Sequence, residues 1–157
     1  MKYTKEYCIT MHRKLWNTIY EIIKETTDKF FTEEEKTNYV NRLEDDFIYD
    51  MKLDALDRMD QEDYSMPDFE ELENDYNNCF CCLYAFSKDD ADSAMNRSEG
   101  GDFCQNCPVK WNDCNYGYSF QCCKSFYGAL EDVQFDTVEE LLDLVKKISA
   151  LPVRENV

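Results

Sequence analysis

The sequence predicts a mainly α fold with short β elements, a helical domain around an irregular, zinc-stapled centre. Three observations predict it. Apolar residues recur at steps of three and four near both ends, Thr-x-x-Glu pairs precede two of those stripes, and eight of the nine cysteines crowd into residues 79–123. A length of 157 residues fits one compact domain, in which residues 1–78 form an acidic helical region and residues 79–157 a zinc-knuckle segment with a closing helix. With 43% hydrophobic and 15% aromatic residues, the chain has enough apolar mass for a core despite 32% charged residues.

The first element covers residues 7–23, where Cys8, Met11, Leu15, Ile19, Ile22 and Ile23 form an apolar stripe that Trp16 and Tyr20 widen. A second helix begins near Thr32, whose hydroxyl caps it while Glu35 reaches back. Its apolar positions, Val40, Leu43, Phe47 and Met51, continue towards Ala55 and Met59 in one run. Pro67 ends that run, and residues 69–76 make a further short helix. The stretch SKDDADSAMNRSEGGD at 87–102 has turn formers and little to bury, which predicts an exposed loop. The aromatic stretch at 116–127 supplies one or two short strands. The last helix starts at Thr137, with Glu140 three residues on, and runs through Val138, Leu141, Leu142, Val145 and Ile148 until Leu151 and Pro152 stop it. No internal repeat is present.

Cys79 with Cys82 and Cys104 with Cys107 form two C-x2-C pairs 21 residues apart, close to the spacing of a tetrathiolate zinc ribbon. Two thiolates three residues apart on a tight turn reach one ion at about 2.3 Å, and two such turns complete a tetrahedron with no open position. The expectation is therefore one structural Zn²⁺ held by Cys79, Cys82, Cys104 and Cys107, with Cys114 as the substitute ligand. Cys81, Cys122 and Cys123 are spare and pack as small hydrophobes. An unliganded or redox-active thiol set and an iron–sulfur cluster are the alternatives. An odd cysteine count, no export signal at the N-terminus and no apolar run of about 20 residues together point to a cytoplasmic protein.

The charge is acidic and local. The 34 Asp and Glu against 17 Lys and Arg give a net charge of −17, which disfavours nucleic acid and anionic membranes as direct ligands. Residues 43–75 hold 14 Asp and Glu against Lys52 and Arg58, whereas residues 1–30 hold six basic and four acidic residues. Asp46, Asp50, Asp54 and Asp57 are spaced 4, 4 and 3, so they share one helical face, where each like-charge pair costs roughly 0.2–0.5 kcal/mol. Such a row resembles a phosphate series in sign and spacing and suits a Lys/Arg-lined protein groove. The competing reading is a solvated face that keeps the protein soluble. The D-x-[DN]-x-[DN]-G pattern of a calcium loop is absent.

An enzyme is the weaker reading. His12 is the only histidine, sits beside Arg13 and Lys14, and reads as a partly exposed helix residue. The chain has no phosphate-loop motif and no recognisable nucleophile signature, and its four glycines give little material for a phosphate cradle. A glycosidase-type carboxylate pair stays open because acidic residues are abundant. Trp16 and Trp111 read as core or interface residues.

Three strings carry a resemblance: MHRKLWNTI at 11–19, CFCCLYA at 79–85 followed by CQNCPVKW at 104–111 and Cys114, and a closing helix ending in ISALP at 148–152. Together they resemble a group of small cysteine-rich proteins of phages and prophages of Gram-positive bacteria. The resemblance implies paired metal knuckles at Cys79 and Cys82 and at Cys104 and Cys107, with a further cysteine at Cys114. The long acidic insertion and the extra cysteines Cys81, Cys122 and Cys123 depart from that pattern. Small size, acidity and metal knuckles are also similar to zinc-binding anti-CRISPR inhibitors of type II Cas9. That similarity implies a non-enzymatic inhibitor in the host bacterial cytoplasm, binding a basic surface of a Cas9-type nuclease or of another basic nucleic-acid-handling protein. The alternative is a zinc-ribbon accessory or regulatory protein of host transcription or phage replication machinery.

Overall fold

A computed structural model of the chain describes residues 3–44, 47–62, 65–76, 79–88, 107–110, 135–155 and 157. These residues are mostly helical, in the mainly α architecture that the apolar periodicity predicts. The helices are α1 (Lys5–Thr27), α2 (Glu33–Asn41), α3 (Phe47–Gln61), α4 (Phe69–Tyr76), α5 (Phe80–Lys88) and α6 (Val138–Ser149). An isolated antiparallel bridge joins Val109 to Val153. The strands expected at 116–127 lie outside the described residues, as does the expected loop from residue 89 to 102. Its first two residues, Ser87 and Lys88, are the end of α5 rather than loop. Among the described residues, no helix is long and apolar enough to cross a membrane.

Both threonine caps form. Thr32 and Thr137 are extended at φ −128° and −127°, and their hydroxyls accept from the Glu35 and Glu140 N–H groups at 3.2 and 3.1 Å. The two glutamates reach back one residue past the cap, accepting from the N–H of Phe31 at 3.3 Å and of Asp136 at 3.0 Å. Asp68 starts α4 in a related way, with its Oδ1 accepting from the N–H of Glu70 at 2.9 Å.

The single helix expected from residue 33 to about 59 is two. Helix α2 ends with Arg42 as its C-cap, and Phe47 N–H donates to the Glu44 carbonyl at 3.0 Å as α3 begins. The sequence Glu44-Asp45-Asp46 supplies the reason. Three carboxylates oppose the negative C-terminal end of a helix dipole and favour the positive N-terminal end of the next.

The chain groups into two units that interleave along the sequence. One unit comprises Lys14–Ser65 and Phe126–Ala150. Its buried residues include Leu15, Trp16, Ile19 and Ile23 of α1, Val40 of α2, Ile48, Leu56 and Met59 of α3, and Val138, Leu141, Val145 and Ile148 of α6. Helix α2 packs against α6, and the Phe47 and Phe135 rings meet edge-on at 5.9 Å. Each fully buried aliphatic or aromatic side chain here contributes about 1.5–3 kcal/mol of transfer free energy.

The other unit comprises Met1–Arg13, Met66–Ser125 and Leu151–Val157. It buries Cys8, Met11, Leu72, Phe80, Cys81, Leu83, Tyr84, Val109 and Leu151, and α4 packs against α5. The bridge at Val109 is held by Lys110 N–H to the Pro152 carbonyl at 2.7 Å and by Arg154 N–H to the Pro108 carbonyl at 2.8 Å. Lys5 Nζ donates to the carbonyl oxygens of Arg154 and Val157, which ties the same segment to the start of α1.

Candidate functional site

Helix α3 is two-faced. Phe47, Ile48, Ala55, Leu56 and Met59 are buried, while Asp50, Asp54 and Asp57 are exposed together on the opposite side. With a rise of 1.5 Å per residue, the three carboxylates are offset along the axis by about 6 and about 4.5 Å. Asp46, the fourth member of the expected row, lies outside the described residues. The two cations of α3 turn elsewhere. Lys52 is buried, its Nζ 5.6 Å from the centroid of the Trp16 ring, and Arg58 Nη2 donates to Glu25 Oε2 at 3.0 Å. That pair is exposed on both sides and is worth under about 1 kcal/mol, yet it directs the guanidinium towards α1.

Sequence reasoning overlooked two exposed aromatics. Tyr49 is 41% exposed on α3, at the flank between the buried face and the acidic one, a phenol ring of the kind enriched at protein interfaces. Phe31 is 95% exposed, and Phe30 before it lines an open cleft of about 390 Å³ with Glu35, Asn38, Tyr39, Arg42 and Leu43. The signal for Phe31 was its place between α1 and the Thr32 cap, outside either apolar stripe.

The second cluster is built from cysteines. Cys79 precedes α5, and its carbonyl accepts from Leu83 N–H at 3.1 Å, so Cys81 and Cys82 stand in the first turn of that helix rather than on a tight knuckle turn. Cys81 and Cys8 are fully buried, whereas Cys79, Cys82 and Cys107 are half-buried, and all five are free of disulfides. The Cys81 thiol is in hydrogen-bonding reach of Cys107 and Cys79. Burial pushes that thiol well above the ordinary thiol range, and the hydrogen bonds to Cys107 and Cys79 push it further. Burial, followed by the neighbouring Cys79, pushes Cys8 up to about 12. These thiols are protonated at neutral pH and are poor nucleophiles.

The expected ligands are therefore brought together in part. Cys79 and Cys107 each lie within hydrogen-bonding reach of Cys81, while Cys104 and Cys114 lie outside the described residues. Cys81, expected to be spare and to pack as a small hydrophobe, is fully buried. Sulfur donors of this kind suit zinc. Among the described residues, no group of three or more His, Cys, Asp or Glu is set to hold a metal ion.

His12 corrects another expectation. The cations beside it in sequence predict partial exposure, yet it is 1% exposed. It lies one turn after Cys8 on α1, on the face that also buries Met11, and its neighbours Arg13 and Lys14 diverge to exposed and half-buried positions. Comparison with family models, with curated proteins and with solved structures gives no match to this chain.

Proposed function

We propose that this chain is a non-enzymatic inhibitor that binds a basic, nucleic-acid-handling protein surface through the exposed carboxylates of α3. The observation that carries the reading is the disposition of α3: an apolar face buried, Lys52 buried with it, and Asp50, Asp54 and Asp57 held outward. Like charges in a row weaken a helix, so such a face is better explained by a partner of opposite sign than by stability. The partner proposed is a Cas9-type nuclease, on the similarity of the chain's acidity, small size and metal knuckles to zinc-binding anti-CRISPR inhibitors. Such a nuclease holds guide and target in positively charged channels, and occupying one of them needs no chemistry from the inhibitor. A structural Zn²⁺ in the cysteine-bearing unit belongs to the same proposal, as does action in the host bacterial cytoplasm.

The test is DNA cleavage by Cas9 and guide RNA at increasing concentrations of the chain. Wild type should inhibit, and the triple reversal D50K/D54K/D57K should abolish inhibition while keeping the helical circular dichroism. Equal inhibition by both proteins would remove α3 from the account. Co-purification with polymerase or replisome subunits, without any effect on cleavage, would favour an accessory role instead.

A further inference from the structure

We propose that two copies of this chain associate through a reciprocal contact, in which Phe31 of each copy enters the cleft that Phe30, Tyr39 and Leu43 line on the other. The sequence turns Phe31 away from its own helix. With Thr32 as the N-cap of α2, Phe31 holds the position before the cap, whose side chain ordinarily packs on the fourth helical residue. That residue is Lys36 instead of an apolar partner, and Phe31 stands 95% exposed. Its backbone is nonetheless fixed. Phe31 N–H donates to Glu35 Oε2 at 3.3 Å, and Phe30 N–H donates to the Thr27 carbonyl at 3.1 Å. A ring presented from ordered backbone pays less entropy when a partner covers it than one on a loop that must first be ordered.

The cleft beside it is the matching half. Tyr39 and Leu43 lie one turn apart, and the Phe30 ring stands 5.7 Å from that of Tyr39. These three are half-buried, while Glu35, Asn38 and Arg42 form an exposed polar rim. An apolar floor inside a polar rim is the anatomy of a protein contact. Because ring and cleft are neighbours, one two-fold axis satisfies both contacts at once. Charge singles out this place for a second copy. The chain carries −17, yet residues 29–43 hold three basic residues, Lys29, Lys36 and Arg42, against three acidic ones, Glu33, Glu34 and Glu35, so two such segments meet without net repulsion. With the two α2 helices antiparallel across the axis, the glutamates that open one stand beside Arg42 at the end of the other. Two rings of about 150–250 Å² each make a contact at the low end of specific interfaces, so the dimer is weak and the chain is monomeric at high dilution.

The test is sedimentation equilibrium of the reduced full-length chain at concentrations up to about 1 mM, at low and at high salt. Wild type should show a monomer–dimer equilibrium that tightens as salt is added, because salt screens the repulsion between two chains of charge −17 and leaves the ring contacts in place. That dependence is opposite in sign to the one expected for a complex with a basic partner. F31A should weaken the dimer by at least about 100-fold, about tenfold for each ring. L43E, which sets a carboxylate in the cleft, should weaken it similarly, and both variants should keep the helical circular dichroism. An equimolar mixture of F31A and L43E regains one contact, Phe31 of the second in the intact cleft of the first, and should associate more tightly than either alone, which a folding defect would not produce. No gain in the mixture, or equal dimerisation of wild type and F31A, would overturn the reciprocal contact. Wild type that stays monomeric at both salt concentrations would overturn it too and leave the cleft to a different occupant.

Discussion

Thr137 and Thr32 each turn one hydroxyl into the start of a helix, and at Thr137 the bond matters more because α6 buries Val138, Leu141, Val145 and Ile148 behind it. Thr137→Ala removes the bond to Glu140 N–H and should cost about 1 kcal/mol, read as a lower urea midpoint with an unchanged slope, while Thr137→Ser should recover most of it. Tyr39 offers a pH-dependent counterpart. Its ring lies 5.7 Å from Phe30, and burial holds its phenol above the ordinary 10.0. Because the folded value exceeds the unfolded one, the contribution of the neutral phenol is complete below pH 10 and is lost as pH rises through the folded value. Tyr39→Phe should therefore flatten the fall in stability above pH 10, and a spectrophotometric tyrosine titration should lose one late-ionising group. These caps were legible as Thr-x-x-Glu. The burial of His12 was not, because neighbouring cations suggested exposure while the helical phase, one turn from Cys8, dictated the core.

At the scale of elements, α3 sets stability against recognition. Replacing Asp50, Asp54 and Asp57 with Asn relieves like-charge repulsion along one face, so the triple variant should be as stable as wild type or more so, by about 0.2–0.5 kcal/mol per neighbouring pair. Chemical denaturation at low salt would measure that gain, and the gain should shrink as salt screens the row. A net loss of stability would mean that the carboxylates are held by contacts within the fold. Apolar periodicity made α1 and α6 legible, although α1 extends beyond the expected residues 7–23 to Lys5–Thr27. It missed the break between α2 and α3, since Val40, Leu43 and Phe47 keep helical phase across it, and the break is set by charge against helix dipoles. The cysteine spacing was similarly ambiguous. A C-x2-C template assumes a turn, but α5 begins at Phe80 and rotates Cys81 inward. The pairing of Val109 with Val153 joins positions 44 residues apart and leaves no short-range signal.

For the whole molecule, a net charge of −17 is unevenly spent: the interior of one unit takes up Lys52, Arg58 is engaged with Glu25, and a dense carboxylate face is left outward on α3. Such a field raises the encounter rate with a basic partner and makes affinity depend on ionic strength. The zinc centre would hold the cysteine-bearing unit and take no part in the contact, so metal removal should unfold that unit first and impair binding only indirectly. The most direct test of the central claim is equilibrium binding of the reduced, zinc-loaded chain to guide-free and guide-loaded Cas9 over a range of salt concentrations, for wild type and D50K/D54K/D57K. The account predicts a one-to-one complex that weakens steeply with salt and is lost in the reversal variant. Equal affinity of the two proteins, or no complex at low salt, would contradict it.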